Sequence, residues 1–102
     1  MSKKLGLALL LAVGFASSQA HAFELFAQVV VQPNFTSAEA CNTVAPVVIY
    51  CQVTTYGQLQ NGEWINAFNN VPLVPGECAY AYNYANAPFF FINGHAQAFC
   101  SF

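Results

Sequence analysis

The side chains able to do chemistry in this chain are few and scattered. His95 is one of only two histidines, the other being His21, and no Asp occurs anywhere to orient it. A nucleophile–base pair needs a hydroxyl within hydrogen-bond reach of an imidazole, with a third group behind that ring. Beyond residue 22 the serines are Ser37 and Ser101, and neither stands in a G-x-S-x-G frame. A paired-carboxylate mechanism would have to bring together two of Glu24, Glu39, Glu63 and Glu77. Each of these lies near a turn or a strand start, where glutamate is ordinarily a solvated surface group. Cys41 and Cys51 are 10 residues apart and Cys78 and Cys100 are 22 apart, with no C-x-x-C, H-x-x-x-H or C-x-x-C-H spacing. That spacing predicts no metal site, no attached haem and no redox dithiol. The expectation is a protein with no catalytic residue and no cofactor, whose sulfurs are structural. A secreted hydrolase or inhibitor is the alternative, with His95 the residue to test.

The sulfurs gain meaning from a divide at Ala22. Ser2-Lys3-Lys4 is a positive n-region, Leu5 to Phe15 an apolar h-region of 11 residues, and Ala20-His21-Ala22 an A-x-A cleavage site. The apolar run is too short to span a bilayer core of about 30 Å as a helix. Residues 1–22 are therefore expected to be a cleaved secretory signal peptide of bacterial type, and 23–102 a single exported domain. Ser18-Gln19-Ala20 offers a second cleavage site. Neither site is followed by the cysteine of a lipoprotein, and no twin arginine is present. The destination is the periplasm, the cell surface or the medium. Asn34-Phe35-Thr36 is a glycosylation triplet that a bacterial host would not use.

All four cysteines follow the divide, so they mature where disulfides persist. Eighty residues supply only a small core, and two bridges are the expected staples. Three pairings are possible. We favour Cys41–Cys78 with Cys51–Cys100, because Cys51 and Cys100 sit in apolar strand-like runs from opposite halves of the chain. A closed loop of about 50 residues stabilises by roughly 4 kcal/mol in the chain-entropy model.

Both lysines precede the divide, and the chain has no Arg. The exported part carries four glutamates and no cationic side chain beyond His95. It cannot neutralise phosphates, which excludes nucleic acid as a partner and disfavours anionic lipid. Nine Asn and six Gln supply its polarity instead. A surface of amides and tyrosines is weakly self-repelling, which favours self-association.

These residues must be positioned by strands. Phe23 to Gln32 alternates, with Phe23, Leu25, Ala27, Val29 and Val31 on one face. Pro33-Asn34 stops it, and Thr36 to Asn42 is ambiguous, able to form one capped helical turn. Val47 to Tyr56 is rich in β-branched and aromatic residues, with Ile49, Cys51, Val53 and Thr55 on one face, and Gly57 is expected to end it. Asn61-Gly62 marks a hairpin, with Glu63 to Phe68 returning. Asn69-Asn70 and Pro72 to Gly76 then interrupt. Cys78 to Tyr84 alternates again, and His95 to Phe102 forms the last run after Asn93-Gly94. Six or seven short strands and no long helix predict one all-β domain, a small antiparallel β-sandwich. A transmembrane barrel would need eight strands of roughly 9–11 residues plus turns, more than the exported part holds. No transmembrane segment is expected there.

Cys51, Trp64 and Cys100 resemble the Cys…Trp…Cys pattern of immunoglobulin domains, in which an inter-sheet bridge packs on a buried Trp. The position two before the second cysteine is Ala98 where that family has Tyr. The resemblance is to the sandwich architecture, as an analogy. The two chain ends also look something like those of secreted pilus subunits, with Phe23 to Val31 in the place of an extension that completes a neighbour's sheet. An alternating terminal strand ordinarily pairs within its own sheet.

The binding candidates are Tyr80, Tyr82, Tyr84 and Asn83. In a strand the three tyrosines share one face. The favoured reading has them filling the core, although Ala79 and Ala81 could equally line the inner face. If exposed, they could stack on sugar rings or grip a protein, with Asn83 and Asn86 near them. Phe89-Phe90-Phe91 cannot all point inward, so at least one ring is expected at the surface. The function expected is a small exported binding or structural module with a protein, self or neutral-glycan partner. A subunit of a surface fibre or biofilm matrix is the alternative.

Overall fold

The computed structural model describes residues 22–102; the expected signal segment before Ala22 lies outside the described residues. Seven strands follow in chain order: β1 (Ala22–Leu25), β2 (Ala27–Gln32), β3 (Phe35–Cys41), β4 (Ile49–Leu59), β5 (Trp64–Leu73), β6 (Cys78–Tyr84) and β7 (Phe91–Ser101). They form two antiparallel sheets, a four-stranded one ordered β1-β7-β4-β5 and a three-stranded one ordered β2-β3-β6. The expected all-β sandwich is the fold.

The N-terminal alternating run is two strands. It breaks at Phe26, which is solvent-exposed, so β1 joins β7 in one sheet and β2 joins β3 in the other. A single covalent run thus spans both layers, and its backbone is paired within its own chain. Thr36 to Cys41 is strand, not helix: Thr36, Ala38 and Ala40 alternate inward, and β3 is the centre of its sheet.

β4 runs through Gly57, where a stop was expected. The Phe91 ring occupies the space a side chain at Gly57 would take, so the glycine gives an aromatic from β7 a close seat rather than ending the strand. The hairpin at Asn61-Gly62 is formed, with Gly62 at φ 93° and Asn61 Oδ1 accepting from Glu63 N at 2.9 Å. The returning strand is longer than the sequence indicated. It passes Asn69-Asn70 and Pro72 to reach Leu73, which Pro72 permits because β5 has a neighbour only on the β4 side. Likewise Asn93-Gly94 lies within β7.

The core is made of small side chains. Ala38, Ala40, Ala79 and Ala81 from the three-stranded sheet face Ile49, Cys51, Val53, Ala98 and Cys100 from the four-stranded one. At one end the interior turns polar. Thr36 Oγ1 and Thr55 Oγ1, both fully buried, hydrogen-bond across the sheets at 2.9 Å. Two asparagines join the neighbouring edges of β5 and β6: Asn83 Nδ2 donates to Ile65 O and Asn69 Nδ2 to Tyr80 O, each at 3.0 Å.

Both favoured disulfides are present, Cys41–Cys78 and Cys51–Cys100. Each joins directly opposed residues of adjacent strands, β3–β6 and β4–β7. Neither crosses between sheets, which is where the immunoglobulin analogy fails. Trp64 fails it too. Its partner in register is Gln58, an odd number of residues from inward-facing Cys51, so the indole lies on the outer face, 48% exposed.

Candidate functional site

The β6 face is resolved in the direction opposite to the favoured expectation. Ala79, Ala81 and Asn83 point inward, opposite Ala40, Ala38 and Thr36, and the three tyrosines point to solvent. The reason is volume. Inner positions on β3 and β6 are alanine, threonine and asparagine, which lets the sheets approach too closely for phenol rings to fit between them.

On the outside the tyrosines form a regular array. Tyr80 and Tyr82 have ring centroids 6.5 Å apart, Tyr82 and Tyr84 6.4 Å, each pair within 17° of parallel. Phe35 on β3 extends the array sideways, 6.4 Å from Tyr82 and 6.5 Å from Tyr84. The spacing follows from the strand, in which alternate residues repeat at about 6.6–6.8 Å. Tyr80 Oη donates to Glu39 Oε2 at 2.8 Å, and this hydrogen bond, reinforced by the carboxylate charge, holds the Tyr80 phenol above its ordinary pKa. The half-exposed Cys41–Cys78 bridge is two residues further along the same face. Asn83 is not part of this surface. Its amide is buried and spent on Ile65 O.

The remaining candidates are dispersed. His95 is exposed on the far sheet, its ring 5.8 Å from Tyr56, which itself donates to Gln97 Oε1 at 3.2 Å. Ser37 lies opposite Tyr82 on β3, and Ser101 opposite Tyr50 on the other sheet. Glu77 accepts from Val74 N in a turn at 3.2 Å. Glu24 and Glu39 approach one another only as lining of a groove at the β1–β2 switch. Glu39, Cys41 and Cys78 bring three potential donor atoms together, but both sulfurs are oxidised to the disulfide and offer no thiolate to a metal. The geometry gives no side chain a nucleophile–base arrangement among the described residues.

Phe89 and Phe90 are exposed beside buried Phe91, in keeping with the expectation for that run. Sequence reasoning missed the outer face of the four-stranded sheet, where Tyr50, Trp64, Phe68 and Phe99 are each about half exposed among amide side chains. The alternation of Val47 to Tyr56 did contain that signal, since Tyr50, Gln52, Thr54 and Tyr56 share the face opposite Cys51. No family model, curated protein or solved structure matches the chain.

Proposed function

We propose that this protein is an exported, non-catalytic binding module that takes a protein or neutral-glycan partner on its tyrosine face. The observation that carries the reading is the parallel, solvent-facing array of Tyr80, Tyr82 and Tyr84 with Phe35 beside it. Tyrosine gives a large contact area for little lost side-chain entropy, and its hydroxyl keeps the ring soluble until a partner covers it. The absence of any Lys or Arg after Lys4 disfavours an anionic partner. Two disulfides in a chain whose first residues have the form of a signal peptide support maturation outside the cytoplasm.

The test is Tyr82→Ala, which removes the middle ring at a position 49% exposed and leaves the core intact. Retention on immobilised neutral polysaccharide is expected to fall below that of the parent, with an unchanged melting temperature. Undiminished retention of the variant would remove the tyrosine face from binding.

Self-assembly is the second reading, favoured by exposed aromatic and β-branched side chains on both outer faces with little charge to oppose stacking. Sedimentation of the processed protein over a concentration series checks it. A species that stays monomeric at every concentration counts against assembly.

A further inference from the structure

We propose a second binding site, on the opposite outer face, for one or two sugar units of a neutral glycan. The site is a recess of about 450 Å³ in the four-stranded sheet, within the size range of small-ligand sites. Tyr50, Gln52, Asn70, Pro72, Phe99 and Ser101 line it. The register explains their convergence. Gln52 stands opposite Asn70 on β5 and Phe99 on β7, while Tyr50 stands opposite Pro72 and Ser101. Tyr50 and Phe99 are therefore diagonal neighbours, about 7–8 Å apart along the backbone, close enough for one pyranose to touch both rings.

The chemistry of the lining selects the ligand. Tyr50 is 58% exposed and Phe99 49%, so both present ring surface on which the C–H face of a sugar can pack. Several amides in the fold are spent on the protein itself: Asn42, Asn69 and Asn83 donate to carbonyls, Gln60 braces the loop at Phe90, and Gln97 accepts from Tyr56. Gln52 and Asn70 make no side-chain hydrogen bond to another described residue. Each amide offers one acceptor and two donors, which suits hydroxyl groups that both donate and accept.

Charge and backbone exclude the rival ligands. No lining side chain is ionised, and the nearest carboxylate in register is Glu24, opposite Phe99. A uronic acid or phosphate would lose its hydration among these side chains without gaining a cationic one, and would meet the Glu24 carboxylate beside Phe99. An extended peptide would need a free strand edge. β4 and β7, the middle of the recess, both have neighbours on either side, and the free edge of β5 lies on its far side from the rings and carries Pro72, which has no N–H to donate. Processing after Ala22 would remove that whole residue from the rim and leave the new α-ammonium of Phe23 beside its register partner Cys100, with the rings and amides still in place.

The experiment is a heteronuclear NMR titration of the processed, disulfide-bonded protein with cellobiose, maltose, diacetylchitobiose and, separately, glucuronate. Saturable shifts are expected at amides of residues 50–52, 70–71 and 99–101 with at least one neutral disaccharide, and weaker ones with glucuronate. Phe99→Ala and Gln52→Leu should each weaken binding about tenfold or more; Gln52→Leu preserves volume should the aromatic variant fold poorly. Tyr82→Ala should leave this binding unchanged, which separates the recess from the tyrosine face. No shift with any neutral disaccharide would overturn the proposal, as would an equal response to glucuronate or full affinity in Gln52→Leu. Recess binding that persists while Tyr82→Ala proves neutral on polysaccharide would count against the tyrosine face alone.

Discussion

Asn42 shows how a single polar residue can organise one end of this molecule. It is 1% exposed, yet its Nδ2 donates to Val47 O and Leu73 O, and its Oδ1 accepts from Ala45 N. Its backbone N–H donates to Glu77 O, and its carbonyl accepts from Gly76 N. One side chain therefore closes the β3–β4 connection onto the end of β5 and the following turn. Tyr80 is the residue where charge matters. Hydrogen bonding to Glu39, and then the carboxylate's charge, raise its pKa above the ordinary tyrosine value. A raised folded-state pKa means that the bond contributes fully below the ordinary tyrosine pKa and is lost as pH rises through the folded value. Glu39→Gln removes the charge, so Tyr80 should ionise at lower pH than in the parent. A near-ultraviolet tyrosinate titration, with Tyr80→Phe identifying the transition, checks this.

The instructive elements are the strands that the local sequence seemed to break. β5 crosses Asn69-Asn70 and Pro72 because it is paired on one side only, and Asn69 uses its side chain to reach β6. β4 crosses Gly57 because β7 supplies an aromatic ring there. Both strands were legible from the sequence as short runs. Their true lengths were not, because the reason to continue lies on a different strand. The β3–β4 contact carries a prediction. Thr36→Val leaves the Thr55 hydroxyl buried without its partner and should cost about 1–3 kcal/mol, while Thr36→Val with Thr55→Val should recover most of the loss. Urea denaturation of the two single variants and the double variant measures the coupling.

For the whole molecule, each sheet is covalently closed within itself, and no sulfur bridge spans the layers. The layers are held by a thin, alanine-rich interior, the threonine pair, the asparagine seam and the continuous β1–β2 run. Each bridge closes a sequence separation of 37 or 49 residues, which stabilises by about 4 kcal/mol in the chain-entropy model, a large part of the net stability of a small domain. The bridges differ in access: Cys51 and Cys100 are 4% and 3% exposed, while Cys41 and Cys78 lie half-buried on the outer face. Graded reductant should therefore open Cys41–Cys78 first and reach Cys51–Cys100 only as the domain unfolds, an order that alkylation and mass spectrometry can follow. Simultaneous opening of both would show that the buried pair is not protected.

By itself the sequence determined the fold class, the positions of most strands and which residues share a face, because each follows from period-two alternation and turn chemistry along one stretch of chain. It also pointed to the sulfur partners, through the kinds of run that hold Cys51 and Cys100. It could not say which face of β6 turns inward, because alternation defines two faces without ranking them. Only the tertiary structure decided that the alanines go in and the tyrosines out, since the space between two sheets is set by both at once. The same assembly brought Tyr50, Gln52, Asn70 and Phe99 together from three strands, a neighbourhood that exists only once β4 has paired on both sides.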